Sequence, residues 1–461
     1  MTIDRRIEES LPSILTDLGR GPAPDYADLV LARTAQARQR PVWLLPDRWL
    51  PRVTTPAIAG HRMVPVLGLL ALSVALAAAA VYVGTRPRLP APFGPARNGA
   101  IVFSSAGDIA TGSLGAPAEF IVRGPEVDFE PFYSPNGTRI AFYRQFGETP
   151  GAATDIMVMN PDGTGLTRIT ATPLLEIPWS ASWTPDGNRI VVQTNERLDG
   201  RLLSFDAAGD GPPVAIDQAA REHDLRIDSF AFQPPDGRRI LFTGQSGSLT
   251  GLFAMDSDGT HLTTLIEPYL ATLAENSDGY WNDKADIKDL RNPIWSPDGK
   301  HIVVQQYDVT PEARWMRLFM LDSDGGNPHP ITNPVDGSVD GDAAWSPDGT
   351  RIAFVRYDLD RSVWRYAIVR LTDLNVTMTG PDIVDGKDAD EWSPGAPIIT
   401  WAPDSSRLFA LERAGPRDAY LLDPDGGQYE TLPWAVQTPQ SWGIQGLNSL
   451  DLGSWQRKAG P

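Results

Sequence analysis

The chain has 461 residues, 40 of them basic and 58 acidic, for a formal net charge of −18. It contains no cysteine, so it holds no disulfide framework, no thiolate metal site and no cysteine nucleophile. The acidic balance argues against a general nucleic-acid binder, which needs a positive footprint. Forty-two Gly and 42 Pro indicate many turns and few long helices.

The chain opens on a small basic head, residues 1–63, in which residues 1–62 carry nine Arg against seven acids. Ile7, Leu11, Ile14, Leu15 and Leu18 follow helical spacing, with Pro12 as a kink. A second helix is predicted from Asp25 to about Arg40, where Pro41 stops it. PVWLLPDRWLP then reads as an interfacial segment. Residues 64–84, VPVLGLLALSVALAAAAVYVG, carry no acid or base. At about 1.5 Å per residue they span roughly 31 Å, enough to cross a hydrocarbon core. The expectation is a single-pass transmembrane helix between Arg62 and Arg86, with Trp43, Trp49 and Tyr82 in the interfaces. A short Arg-rich tail tends to stay inside, which places residues 1–63 in the cytoplasm and the rest outside a cell membrane. Residues 85–98 form a Pro-rich linker with Arg86, Arg88 and Arg97. The remainder, 99–461, holds 28 basic and 51 acidic residues.

A repeat governs 99–461. YSPNGTRIAF begins at Tyr133, WTPDGNRIVV at Trp183, FQPPDGRRILF at Phe232, WSPDGKHIVV at Trp295, WSPDGTRIAF at Trp345 and WAPDSSRLFA at Trp401. These starts are separated by 50, 49, 63, 50 and 56 residues. Each copy encodes a hairpin: Pro sets the first corner, Asp or Asn bonds back to the backbone, and Gly takes the left-handed corner. Asp186-Gly187, Asp298-Gly299 and Asp348-Gly349 are such corners; Asp404 is followed by Ser405 instead. The IVV or IAF run that follows suits a strand buried on both faces. Trp183, Trp295, Trp345 and Trp401 are expected to pack between neighbouring sheets. A second strand, Asp-Gly turn, strand signal follows four of the copies, from Ile156, Leu252, Leu318 and Tyr420.

Four short strands per unit, repeated about every 50 residues, predict an all-β β-propeller. AIVFSS from Ala100 lacks an aromatic hairpin partner, and SWQR around Trp455 lacks a following apolar run. Pairing them completes one blade from both chain ends and gives seven blades; six remains the alternative if one unit is degenerate.

These motifs resemble the WD40-like PD40 repeats of TolB-type β-propellers, over most of residues 99–461. The whole chain is similar in layout to bacterial membrane-anchored propellers of that type. The resemblance implies a platform that binds protein. It also extends to propellers fused to serine peptidases, but G-x-S-x-G does not occur here.

The five His are His61, His223, His261, His301 and His329, and no two share metal-ligand spacing. Asp256-Ser-Asp258-Gly and Asp322-Ser-Asp324-Gly look like fragments of a calcium loop but lack the bidentate Glu, and read as turns. No catalytic residue, cofactor or metal is therefore expected, and the chain reads as a non-enzymatic binder. The candidate contact site is the long segment between the third and fourth hairpins, with Asp278, Tyr280, Trp281 and Asp283, because loops on rigid scaffolds carry recognition. The segment from Asp382 to Trp392 is a second one of this kind.

The leading expectation is an anchored platform for a protein or cell-envelope ligand, with no nucleic acid as partner. Two alternatives stand beside it. One is a transmembrane regulator of anti-sigma-factor type, whose head binds a cytoplasmic protein without the zinc signature of that family. The other is a hydrolase using propeller carboxylates.

Overall fold

The computed structural model describes residues 72–74, 89–105, 107–146, 153–171, 174, 178, 180–194, 200–247, 249–270, 289–309, 314–334, 338–384, 398–411, 419–434 and 453–459. Residues 1–86 and 87–461 separate into two units. Of the first, the described part is one helical stretch, 72–74, with Leu72 and Val74 exposed. The rest of the predicted transmembrane segment, and the head, lie outside the described residues. Among the described residues no helix is long and apolar enough to cross a membrane.

The second unit is built of short antiparallel strands. β1 (Arg97–Ser105), β2 (Asp108–Gly112) and β3 (Glu119–Val122) are followed by β4 (Val127–Tyr133), β5 (Ile140–Gln145), β6 (Thr154–Met159) and β7 (Thr167–Arg168). Next come β8 (Ser180–Trp183), β9 (Arg189–Gln193), β10 (Leu202–Asp206) and β11 (Val214–Ala215). A short helix α1 (Gln218–Glu222) leads to β12 (Arg226–Phe232), β13 (Arg239–Ser246), β14 (Leu249–Asp256) and β15 (Thr263–Leu270). β16 (Asp289–Trp295), β17 (His301–Val309), β18 (Arg314–Asp322) and β19 (His329–Pro330) form the fifth group. The sixth is β20 (Ser338–Trp345), β21 (Arg351–Asp358), β22 (Val363–Arg370) and β23 (Asn375–Val384). The seventh is β24 (Ile398–Trp401), β25 (Leu408–Leu411), β26 (Ala419–Leu422) and β27 (Tyr429–Leu432).

The last strand, β28 (Gly453–Lys458), returns to the beginning and pairs with β1, setting Trp455 opposite Ile101. The first sheet is thus ordered β28-β1-β2-β3, and all the others follow chain order. A single parallel bridge, Met316 to Val339, joins the fifth and sixth groups. The first strands of successive groups touch in a cycle. β28 meets β4 and β24, β12 meets β8 and β16, and β20 meets β16 and β24. The Trp183 indole N–H closes the remaining step, donating to the Phe132 carbonyl at 3.4 Å. The fold is a β-propeller, closed by strands from both ends of the domain.

The second strand of each group lies between sheets on both sides. Ile140, Ala141, Phe142, Ile190, Val191 and Val192 are all 0 % exposed, so continuous apolar runs stand where alternation would mark a one-sided sheet. The repeat aromatics do what their spacing predicts. Tyr133, Trp183, Phe232, Trp295, Trp401 and Trp455 are buried, and Trp345 is half-buried. Trp401 donates its indole N–H to the Ala344 carbonyl of the preceding group at 3.0 Å, the same step that Trp183 makes.

Candidate functional site

Antiparallel order sends every first and third strand the same way. The turns that join first to second and third to fourth strands therefore share one face. The connections from second to third strands, and from group to group, share the other.

The turn face carries the repeat motif. In each corner the Asp side chain is used up locally: Asp186 accepts from the Thr184 hydroxyl (2.6 Å) and the Asn188 N–H (3.0 Å). Asp298 does so with Ser296 and Lys300, Asp348 with Ser346 and Thr350, and Asp404 with Ser406. Partial burial pushes these four carboxyls upward, but the turn's hydroxyl and N–H donors outweigh it and leave each below its ordinary range. Gly187, Gly299 and Gly349 take the left-handed corner at φ 70°, 70° and 73°. Ser405 takes it at 64°, buried, with its hydroxyl accepting the Asp348 N–H at 3.0 Å. Trp183, Trp295, Trp345 and Trp401 lead into these corners, so the motif residues build and pack the blades.

The calcium-like fragments are turns as well. Asp258 accepts the N–H and hydroxyl of Thr260 (3.0 and 2.7 Å), and Asp324 the N–H of Gly326 (2.9 Å). The described histidines are dispersed: His261 meets Asp256 at 2.8 Å, His301 meets Asp322 at 3.4 Å, and His223 and His329 bond to backbone carbonyls. Among the described residues no three His, Cys, Asp or Glu converge as metal ligands.

The loop face is different in chemistry. Asp128 and Arg144, opposite one another on β4 and β5, form a two-pronged pair at 2.7 and 2.8 Å. Asp340 and Arg356 repeat it on β20 and β21, at 2.6 and 2.8 Å. Both aspartates are buried. Burial pushes the Asp128 carboxyl up, against the lowering pull of Arg144, while the bond to Asp128 raises the Arg144 guanidinium. Beside each pair the first strand bulges, and Glu130, Asn292 and Asp342 stand at the same place, three residues before Tyr133, Trp295 and Trp345. All three sit in the left-handed region, at φ 54°, 45° and 49°, which Asn and Asp tolerate better than Glu.

One position of each second strand completes this layer: Ser104, Tyr143, Gln193, Thr243, Gln305, Val355 and Leu411, all buried. Gln193 donates to the Ile227 carbonyl of the next group at 2.7 Å, and Asn292 donates to Gln305 at 3.1 Å. The Tyr143 hydroxyl, Gln193 Oε1, Gln305 Nε2 and Gln306 Oε1 remain buried without a protein partner. Burial, with the charge of Glu130, raises the Tyr143 phenol well above its usual range. Buried donors and acceptors of this kind require water or a ligand to satisfy them.

The predicted contact residues Asp278, Tyr280, Trp281 and Asp283 lie outside the described residues, as does most of the segment from Asp382 to Trp392. Asp382 itself accepts a two-pronged bond from Arg365, at 2.9 and 3.1 Å. The paired Asp and Arg of the loop face were missed from sequence. Their signal was Asp five residues before Tyr133 or Trp345, followed 16 residues later by Arg.

No family model matches this chain, and no curated protein matches it. Among solved structures it is similar to TolB from Acinetobacter baumannii, with 18% identity, 69% of this chain and 66% of that chain covered, and a TM-score of 0.44. It is similar also to oligogalacturonate lyase from Vibrio parahaemolyticus, with 13% identity, 73% and 86% covered, and a TM-score of 0.48. For the periplasmic gluconolactonase of Pseudomonas aeruginosa the values are 13% identity, 74% and 97% covered, and 0.46. Identities this low speak to fold alone. One expectation is corrected: enzymes stand among these structures, so the propeller fold gives no ground for reading this chain as a non-enzyme.

Proposed function

We propose that this chain is a single-pass, membrane-anchored, seven-bladed propeller of bacterial type, whose loop face holds a protein or cell-envelope ligand outside the cytoplasm. The observation that carries the reading is the division of labour between faces. The motif carboxylates Asp186, Asp298 and Asp348 are bonded within their own corners, and the unpartnered Trp295 and Trp345 indoles of that end belong to the blade packing. On the loop face, by contrast, the Tyr143 hydroxyl, Gln193 Oε1 and Gln305 Nε2 are buried without a protein partner. The charge-free run of residues 64–84 supports the anchor, and the short basic tail before it supports a cytoplasmic head.

Photo-crosslinking in intact cells tests this. A photoreactive side chain replaces Phe146, exposed on a loop-face connection, or Leu114 or Leu166, exposed on turn-face corners. Adducts from position 146 with none from 114 and 166 are expected. Adducts only from the turn-face positions overturn the assignment of the face. A phosphatase reporter fused after residue 98 is expected to be active, and an inactive fusion overturns the orientation.

A further inference from the structure

The chain approaches β1 across the turn face. Residues 89–96 form no strand, yet they are held at three separated points of the ring. The Ala96 N–H donates to the Pro403 carbonyl, in the seventh group, at 2.8 Å. Arg457, on β28 of the first group, donates to the carbonyls of Ala91 (3.1 Å) and Gly94. Phe93, half-buried, packs on the apolar cluster that holds Val191 and Leu202 of the third group with Phe230 and Phe232 of the fourth. The first and seventh groups are neighbours, while the third and fourth lie across the ring from them. A segment of eight residues that touches both sides passes over the axis.

We infer that residues 89–96 are a strap that closes the turn-face end of the ring axis, with Arg457 as its clasp. The loop face is then the open end. Two charge-assisted bonds from one guanidinium to neutral carbonyls make the clasp stronger than ordinary amide pairs. Burial of Arg457, which lowers its affinity for a proton, accords with a guanidinium withdrawn from water beneath the strap.

The clasp also ties the strap to ring closure. Beside Arg457, Gln456 donates to the Gly137 carbonyl at 2.9 Å, and the Ser454 hydroxyl accepts the Tyr133 N–H at 3.2 Å. A Cβ on Gly137 would lie 2.1 Å from the Arg457 carbonyl, so β28 sits hard against the corner of the second group. Displacing the strap therefore acts on the strand that completes the first sheet and seals the ring.

A chain without cysteine allows a clean measurement in the full-length protein. Phe93→Cys is labelled with a maleimide and compared with Leu114→Cys, on an exposed corner of the same face. Phe93→Cys is expected to react at least about tenfold more slowly, because labelling waits for local opening. Adding Arg457→Met is expected to bring its rate close to that at 114. If that variant does not fold, Arg457→Lys, which replaces the guanidinium with a shorter and more strongly hydrated ammonium, is expected to give an intermediate rate. Equal rates at 93 and 114 in the parent overturn the strap. A slow rate at 93 that is indifferent to loss of the guanidinium overturns the clasp.

Discussion

The guanidinium of Arg356 closes on the carboxylate of Asp340 through two parallel hydrogen bonds, 2.6 and 2.8 Å long, with the aspartate wholly buried. Arg144 and Asp128 repeat this geometry four groups earlier in the chain, with the same 16-residue separation. Arg365 and Asp382 bond in the same two-pronged way on the surface. The three pairs share a geometry and differ in burial, and burial decides what each is worth.

Removing one partner of a buried pair leaves an uncompensated charge. Arg356→Met is expected to destabilise the propeller by about 3–5 kcal/mol. Arg365→Met, at the solvated pair, is expected to cost about 1 kcal/mol or less. Urea unfolding of both variants checks the contrast, and equal losses would contradict the role given to burial.

Two corner glycines of like conformation make a second contrast. A Cβ at Gly349 meets nothing closer than 3.9 Å, whereas one at Gly299 would stand 2.2 Å from the Pro234 carbonyl oxygen. Gly349→Ala is expected to cost only the left-handed penalty, about 1–2 kcal/mol. Gly299→Ala adds a backbone displacement and about 1–3 kcal/mol more. Thermal melting of the two variants reads the difference.

Ser405 stands where five other corners carry glycine. Replacing it with glycine relieves left-handed strain of about 1–2 kcal/mol. The same change removes the hydroxyl that accepts the Asp348 N–H, a loss of about 1 kcal/mol. The two nearly cancel, so Ser405→Gly is expected to shift stability by no more than about 1 kcal/mol. A large loss would mean that the bond to the sixth group matters more than the strain.

The corner carboxyls set the acid response. At Asp162 and Asp258 the Thr164 and Thr260 donors hold the carboxyl below its ordinary range, and Asp186, Asp298, Asp348 and Asp404 are lowered as well. A folded pKa below the unfolded value of about 3.9 contributes stability that is full above it and lost as pH falls through the folded pKa. Asp128, raised by burial, acts in the opposite sense, but it is one group against six. The melting temperature is therefore expected to fall steeply below about pH 4. Asp186→Asn with Asp348→Asn is expected to flatten that fall.

The repeat, its hairpins and the closing strand were legible because their causes are local. Pro, Asp and Gly turn the chain wherever they stand together, and an IVV or IAF run buries itself on both faces of a sheet. Even the pairing of AIVF with SWQR could be read, since each lacked the partner that every other unit carries. The candidate site was less legible. Asp128 resembles any other acid of this chain until strand register brings Arg144 opposite it.

The anchor and the aromatic pair Tyr280-Trp281 remain sequence-level assignments, resting on a charge-free run and on loop composition. Two things belonged to the tertiary structure alone. Four buried polar atoms of the loop face lost their partners only when the blades packed. Arg457 met Gly94 across 363 residues of chain only when the ring closed. A turn is decided within four residues, and a blade within about 50; what lies over the axis depends on all seven blades at once.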